Sequence, residues 1–220
     1  AADALAATLD RATLLSLAAP LPEATTAPRL APPAQVIAVA QDCAFGFTYP
    51  HMLADWRAAG AEIKPFSPLA DDPVPEAGFV FLPGGYPELH AGKLAANHTF
   101  MQSLKRAAQT SDIYGECGGY MVLGAGLIDA DGTPHAMTGL LPLETSFATR
   151  RLHLGYRTLT AAQGPFPGTW AAHEFHYATT LRADGPALFT ATDAEGTAVA
   201  PMGLTLGRVS GSFAHLIDRT

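Results

Sequence analysis

DIYGECGGYMVLG, residues 112–124, reads as a short buried strand that runs into a glycine-lined turn and then a helix. Gly115 and Gly119 leave room for a sharp strand-to-helix reversal, the form of a nucleophile elbow, with Cys117 held clear of the sheet. A helix beginning near Gly118 would turn backbone N–H groups and the positive end of its dipole toward the sulfur, favouring thiolate over thiol. The same pentapeptide also fits a small apolar cysteine buried at a tight turn. The neighbouring segments have to decide between the two.

Those segments alternate strand and helix. QVIAVA (35–40) is a continuous apolar run with β-branched residues, as expected of a strand buried on both faces of a parallel sheet. PHMLADWRAAG (50–60) predicts a helix that starts at Pro50 and stops at Gly60. AEIKPF and GFVFLPGG supply two more strands, and NHTFMQSLKRAAQT a helix with Asn97 at its N-cap. The alternation predicts an α/β fold of three layers: a mostly parallel sheet flanked by helices through right-handed crossovers. Ligands in such folds gather at the carboxyl ends of the strands. In the second half DADGTP, LHLGYRTLT, TWAAHEFHYATTL and ALFTATDAEGTAVA read as hairpins, which predicts added antiparallel strands.

Ahead of this domain, Leu5, Leu9, Ala12 and Leu15 fall near helical spacing, so residues 1–18 predict a short amphipathic helix. Residues 19–34 include PLPEATTAPRLAPP, whose five prolines predict a linker. The expected organisation is a remnant of a preceding domain (1–18), a linker (19–34) and one domain (35–220). The start inside a helix without Met points to a piece of a longer polypeptide.

The chain has 220 residues, 48% of them hydrophobic, with a formal net charge of −7. Such a chain can bury a large core but offers no basic field for nucleic-acid phosphates. No apolar run reaches the ~20 residues of a membrane span. The two cysteines, Cys43 and Cys117, read as separate thiols in a reducing, cytoplasmic setting.

A cysteine nucleophile needs an oxyanion site and a base. FVFLPGGYPEL (79–89) ends a buried strand with Gly84 and Gly85, and the Gly85 N–H, paired with that of Gly118, would complete an oxyanion hole. Of the eight histidines, His215 in VSGSFAHLIDRT follows a small-residue strand end that can return to the same sheet edge, making it the candidate base. HEFH (173–176) invites a metal reading, but in a strand His173 and His176 point to opposite faces, so no metal site is expected. Gly84, Tyr86, Glu174 and His176 are the candidates for holding a substrate.

With these residues assembled, the chain resembles the class I, triad-type glutamine amidotransferases. Over residues 36–218 it is most similar to the C-terminal glutaminase domains of the cobyrinic and hydrogenobyrinic acid a,c-diamide synthases. The resemblance rests on DCAFGFTYPHML, GAEIKPFSPLAD, FLPGGYPEL, GECGGYMVLG, HEFHYA and GSFAHLID, in that order. It implies a flavodoxin-like fold and a domain that hydrolyses L-glutamine through Cys117 and His215, with Gly85 and Gly118 as oxyanion hole. The ammonia would serve an N-terminal amidoligase domain of the same polypeptide, which binds ATP, Mg2+ and the corrin acid; no cofactor is expected in this chain. Two positions depart from the class pattern. Met121 stands where the class has a glutamine-holding Gln, and Ile217 where it has the acid of the triad. Asp218 and Glu174 are the candidates to replace that acid; without one the site is a Cys-His dyad. Residues 42–49 are the candidate interface to the amidoligase domain. The competing readings are a cysteine hydrolase or peptidase of related fold and a non-catalytic docking domain.

Overall fold

A computed structural model describes residues 8–20 and 30–220. The segments 1–7 and 21–29, which carry much of the expected first helix and linker, lie outside the described residues. Of that first helix, Arg11–Ser16 (α1) is described; Asp10 caps it by accepting from the Ala12 N–H, and none of its residues is buried. Within the described part of the expected linker, Leu30 is only 3% exposed and donates its N–H to Asp55.

Strands β1 (Val36–Ala40), β2 (Glu62–Phe66), β3 (Phe79–Leu82) and β4 (Asp112–Glu116) pair in parallel. Between them lie helices α2 (Pro50–Ala58), α3 (Ala91–Ala96) and α4 (His98–Ala107). Proline at the first position and Arg57 in the last turn suit α2, and its Met52 and Trp56, four residues apart, share the buried face. Gly60 follows with φ of 93°, the left-handed turn expected there. Asn97 sits at the N-cap position of α4, yet its side chain donates to the Pro68 carbonyl instead. Asp71 satisfies the helix by accepting from the Phe100 N–H, because the loop after β2 brings a carboxylate closer than the local amide.

A short helix, α5 (Gly118–Leu123), follows β4 directly. Then come β5 (Gly126–Ile128), β6 (Pro134–Ala136), β7 (Leu143–Ser146), β8 (His153–Ala161), β9 (Gly168–His176), β10 (Thr179–Ala183), β11 (Phe189–Thr192) and β12 (Ala198–Met202). The chain closes with β13 (Leu204–Leu206), β14 (Val209–Ser212) and β15 (Ala214–Arg219). The main sheet has the order β13-β14-β4-β3-β1-β2, with β14 parallel to β4 and β13 antiparallel to β14. The expected antiparallel strands are present, but apart from β13 they do not extend this sheet. They form a four-stranded sheet (β10-β7-β5-β6) and a five-stranded one (β12-β11-β8-β9-β15).

The residue alternation of the main strands explains how these layers stack. Ala38, Val80 and Ile113 face a core shared with α3, α4, α5 and the four-stranded sheet. Ile37, Val39, Phe79, Phe81 and Tyr114 face the other way, into Trp56 of α2 and Leu159, Trp170, Ala172 and Phe189 of the five-stranded sheet. One covering layer is thus mainly sheet rather than helix.

The carboxyl ends of β1, β3, β4 and β14 converge on one edge, where the strand order reverses between β1 and β3. Asp42 anchors the loop after β1: one carboxylate oxygen accepts from the Ala44 N–H, the other from the Ser67 hydroxyl and the Leu69 N–H. Asp42→Ala is expected to lower stability by about 1–3 kcal/mol, because it leaves buried donors unpaired. Thermal melting of the variant beside the parent checks this.

Candidate active site

Cys117 lies between β4 and α5 with φ of 50° and ψ of −103°, outside the regions that side-chain-bearing residues ordinarily occupy. Such a backbone costs about 1–3 kcal/mol and persists only where the surroundings impose it. Here they do. The Cys117 N–H donates to the Ser212 carbonyl at 2.8 Å, and the Gly119 N–H donates to the Pro83 carbonyl at 3.1 Å. The elbow is therefore tied to the ends of β14 and β3. Cys117 is 5% exposed, and its Sγ lies 3.9 Å from the Phe175 carbonyl oxygen.

The sequence-predicted residues meet around this sulfur. Gly84 shows how close His215 and Cys117 come: a methyl group there would lie 2.5 Å from His215 Cε1 and 3.4 Å from Cys117 Cβ. A methyl on Gly118 would lie 3.1 Å from the Gly85 nitrogen, so the two backbone segments also touch. Among the described residues the N–H groups of Gly85 and Gly118 find no hydrogen-bond acceptor. The loop is held by its neighbours instead: Tyr86 N–H donates to Ala44 O at 3.0 Å, and Phe47 N–H to Gly84 O at 2.9 Å. Tyr86 itself is half exposed, edge-on to Phe47.

His215 is buried. Its Nδ1 lies 3.1 Å from Glu116 Oε1, while Glu116 Oε2 accepts from the Leu216 N–H at 3.0 Å. Burial pulls His215 down, but its hydrogen bonds to Cys117 and Glu116 and their negative charges outweigh this and lift it to about 10. His173 stacks on the His215 ring at 4.7 Å and shares a 2.6 Å hydrogen bond with the Tyr49 hydroxyl. Burial and the charge of His215 push His173 below the ordinary histidine value. A cavity of about 330 Å³ opens here, walled by Phe47, Thr48, Tyr49, His173, Phe175 and His215.

The sequence that builds this site is similar to known proteins. The family model of the CobB/CobQ-like glutamine amidotransferase domain matches residues 36–219. The chain belongs to that family. It is 52% identical over 98% of its length to hydrogenobyrinate a,c-diamide synthase of Rhodobacter capsulatus, covering 51% of that relative. To the protein of the same name from Agrobacterium fabrum it is 51% identical over 99% of its length, covering 52%. The chain thus spans about half the length of the curated relatives it matches. Among solved structures, PurLQS from Thermotoga maritima aligns at a TM-score of 0.50 and 16% identity, over 83% of this chain and 87% of that one. That likeness concerns the fold.

Within this amidotransferase domain the remaining candidates separate. Strand alternation along β9 sends His173 toward His215, and Glu174 and His176 to the opposite face. There Glu174 pairs with Arg157 at 2.9 Å and with His176 at 3.0 Å, while His176 stacks on Phe213 and His153. Glu174 lines a separate cavity of about 440 Å³, whose walls also include Tyr120, Arg157, Ser212 and Phe213. His153, Glu174 and His176 bring ligand atoms within 4.8 Å of one another. The two imidazoles are parallel, 4° apart, so their lone pairs do not converge, and Glu174 is committed to Arg157.

The two departures from the class pattern also have a place. Met121 is buried in the helix-side core, 2% exposed. Ile217 gives its carbonyl to His51 Nε2. Neither Asp218 nor Glu174 reaches His215: Asp218 is exposed and accepts from the Arg219 N–H. The carboxylate beside His215 is Glu116, which sequence reasoning passed over because neighbours in a strand point apart. A glutamate at the fully buried end of β4, directly before the glycine-flanked cysteine, was the available signal. Among the described residues no helix is long and apolar enough to cross a membrane.

Proposed function

We propose that this domain hydrolyses L-glutamine and supplies the ammonia to an ATP-dependent ligase carried by the same polypeptide. The observation that carries the reading is the meeting of Cys117, His215 and two unoccupied N–H groups at one elbow. In this mechanism the Cys117 proton passes to His215, whose imidazole is held charged at neutral pH. Glu116 occupies Nδ1, so Nε2 is the nitrogen that would exchange the proton with the sulfur.

The Cys117 sulfur attacks the side-chain carboxamide carbon of glutamine, and the carbonyl oxygen gathers the charge. The N–H groups of Gly85 and Gly118 would bind that oxyanion. Collapse breaks the C–N bond as His215 gives its proton to the departing nitrogen, which leaves as ammonia. Neutral His215 then takes a proton from water as the water attacks the thioester. The C–S bond breaks, glutamate leaves, and the thiolate–imidazolium pair is restored.

The relatives' shared name supports hydrogenobyrinic acid, or its cobalt-bearing form cobyrinic acid, as the acceptor, amidated at its a and c carboxylates on the way to cobalamin. In this reading ATP, Mg2+ and the corrin acid bind the amidoligase half, in the cytoplasm. Residues 42–49 and the exposed rings of Phe47 and Tyr86, at the mouth of the site, would face that half.

The test is 6-diazo-5-oxo-norleucine, a glutamine-like alkylator, applied to the full-length polypeptide with ATP and corrin acid. One adduct at Cys117 is expected by peptide mass spectrometry. An unlabelled Cys117 overturns the reading.

A further inference from the structure

We infer that Glu116, the residue directly before the nucleophile, is the positioning acid that orients His215 and holds its charge. The inference rests on the glutaminase reading above and supplies the group that the family resemblance leaves vacant at Ile217.

Three observations carry it. Both carboxylate oxygens of Glu116 are spent on the strand of His215, one on Nδ1 at 3.1 Å and one on the Leu216 N–H at 3.0 Å. This fork fixes the ring's tilt and its distance from the backbone at once, the role of the third member in a nucleophile–base–acid relay. The side chains of Glu116 and His215 are 2% and 5% exposed, so the contact is little screened by solvent. Finally, the Cys117 backbone at φ 50° lets two successive residues serve one site. Glu116 ends the strand and turns to His215, while the elbow swings Cys117 to the same imidazole.

The other titratable groups around His215 do not take this role. His173, stacked on the ring, is kept neutral by burial and by the charge of His215. Tyr49, behind His173, is pushed up to about 12 by burial and by Glu116. Tyr114, on the same strand as Glu116, is raised for the same two reasons. Among these groups Glu116 is therefore the carboxylate that His215 has as a partner, beside the Cys117 sulfur.

The sign of the pH effect follows. His215 keeps its proton through neutral pH and loses it as pH rises through about 10. Removing the Glu116 charge leaves burial opposed by Cys117 alone, so the proton is lost at lower pH. Imidazole nitrogen NMR of the wild-type protein should find one buried histidine titrating well above ~6.5. In Glu116→Gln, which keeps the shape and an acceptor for the Leu216 N–H, that midpoint should fall by about 1–3 pH units. Glutamine kcat in the full-length polypeptide should fall about 10²-fold with KM little changed. The ~10⁴ of a serine relay is not expected, since a thiolate needs less help. Glu116→Asp should restore part of both.

A wild-type His215 midpoint at or below the ordinary value overturns the inference without any variant. So does a Glu116→Gln protein, folded by its melting curve, whose midpoint and kcat match the parent. If Cys117 still takes the diazo label in that case, the glutaminase reading stands and only the role of Glu116 falls.

Discussion

Cys117→Ser is expected to lower glutamine hydrolysis by roughly 10⁴-fold or more, with melting within a few degrees of the parent. The substitution exchanges one small atom at a buried turn, so the β4–α5 junction keeps its hydrogen bonds from the Cys117 N–H position to Ser212 and from Gly119 to Pro83. What changes is the charge available for attack. A thiol gives its proton to a neighbouring imidazole far more readily than a hydroxyl does, and His215 lies against this position with its charge already favoured. The serine hydroxyl would keep its proton, and the N–H groups of Gly85 and Gly118 would stabilise an oxyanion that seldom forms. Ammonia release in a coupled assay on the full-length polypeptide measures the effect. Turnover at the parent rate would remove Cys117 from the mechanism.

Gly119→Ala should produce the largest loss of stability. Its methyl group would be driven into the Leu82 carbonyl, 2.6 Å from the carbonyl carbon and 2.7 Å from Leu82 Cβ. Leu82 ends β3, a fully buried strand paired on both sides, and Gly119 lies in the first turn of α5, so neither backbone can yield cheaply. Overpacking of this kind costs about 3 kcal/mol, which at this chain length is a fall in Tm of roughly 6–12 °C. Activity should fall further than stability, since an elbow displaced by about 1 Å loses on the order of 10² in rate. Gly126→Ala is the control: its methyl group meets only the His135 carbonyl, at an ordinary 3.6 Å, and should melt like the parent. Equal melting of the two variants would show that the elbow is more pliant than its contacts indicate.

The elbow and the parallel sheet were legible from sequence because their signals are local. Apolar runs such as VIAVA and FVFL must be buried on both faces, and a Gly-Glu-Cys-Gly-Gly string can satisfy its backbone only as a sharp turn. The second half was less legible. Short alternating strands announce hairpins, but nothing local says whether β8 and β9 extend the first sheet or stack upon it. That choice is made by Trp170, Leu159 and Phe189, which find Trp56, Phe79 and Tyr114 across the layer. Asn97 likewise read as a cap from its own neighbourhood, while Asp71 supplied the hydrogen bond from another loop.

The sequence by itself singled out Cys117, Gly85, Gly118 and His215 as candidates that belong together, because each lies in a motif whose spacing permits few backbone solutions. Tertiary structure alone decided which acid lies beside His215. Asp218 is nearer to His215 along the chain, but it lies beyond the irregular register between Leu216 and Asp218 and ends at the surface. Glu116 is 99 residues away in sequence and 3.1 Å away in space, because β14 pairs in parallel with β4 and delivers the start of β15 to its end. Strand pairing over that separation is set by the burial of the whole sheet, and no window of sequence contains it.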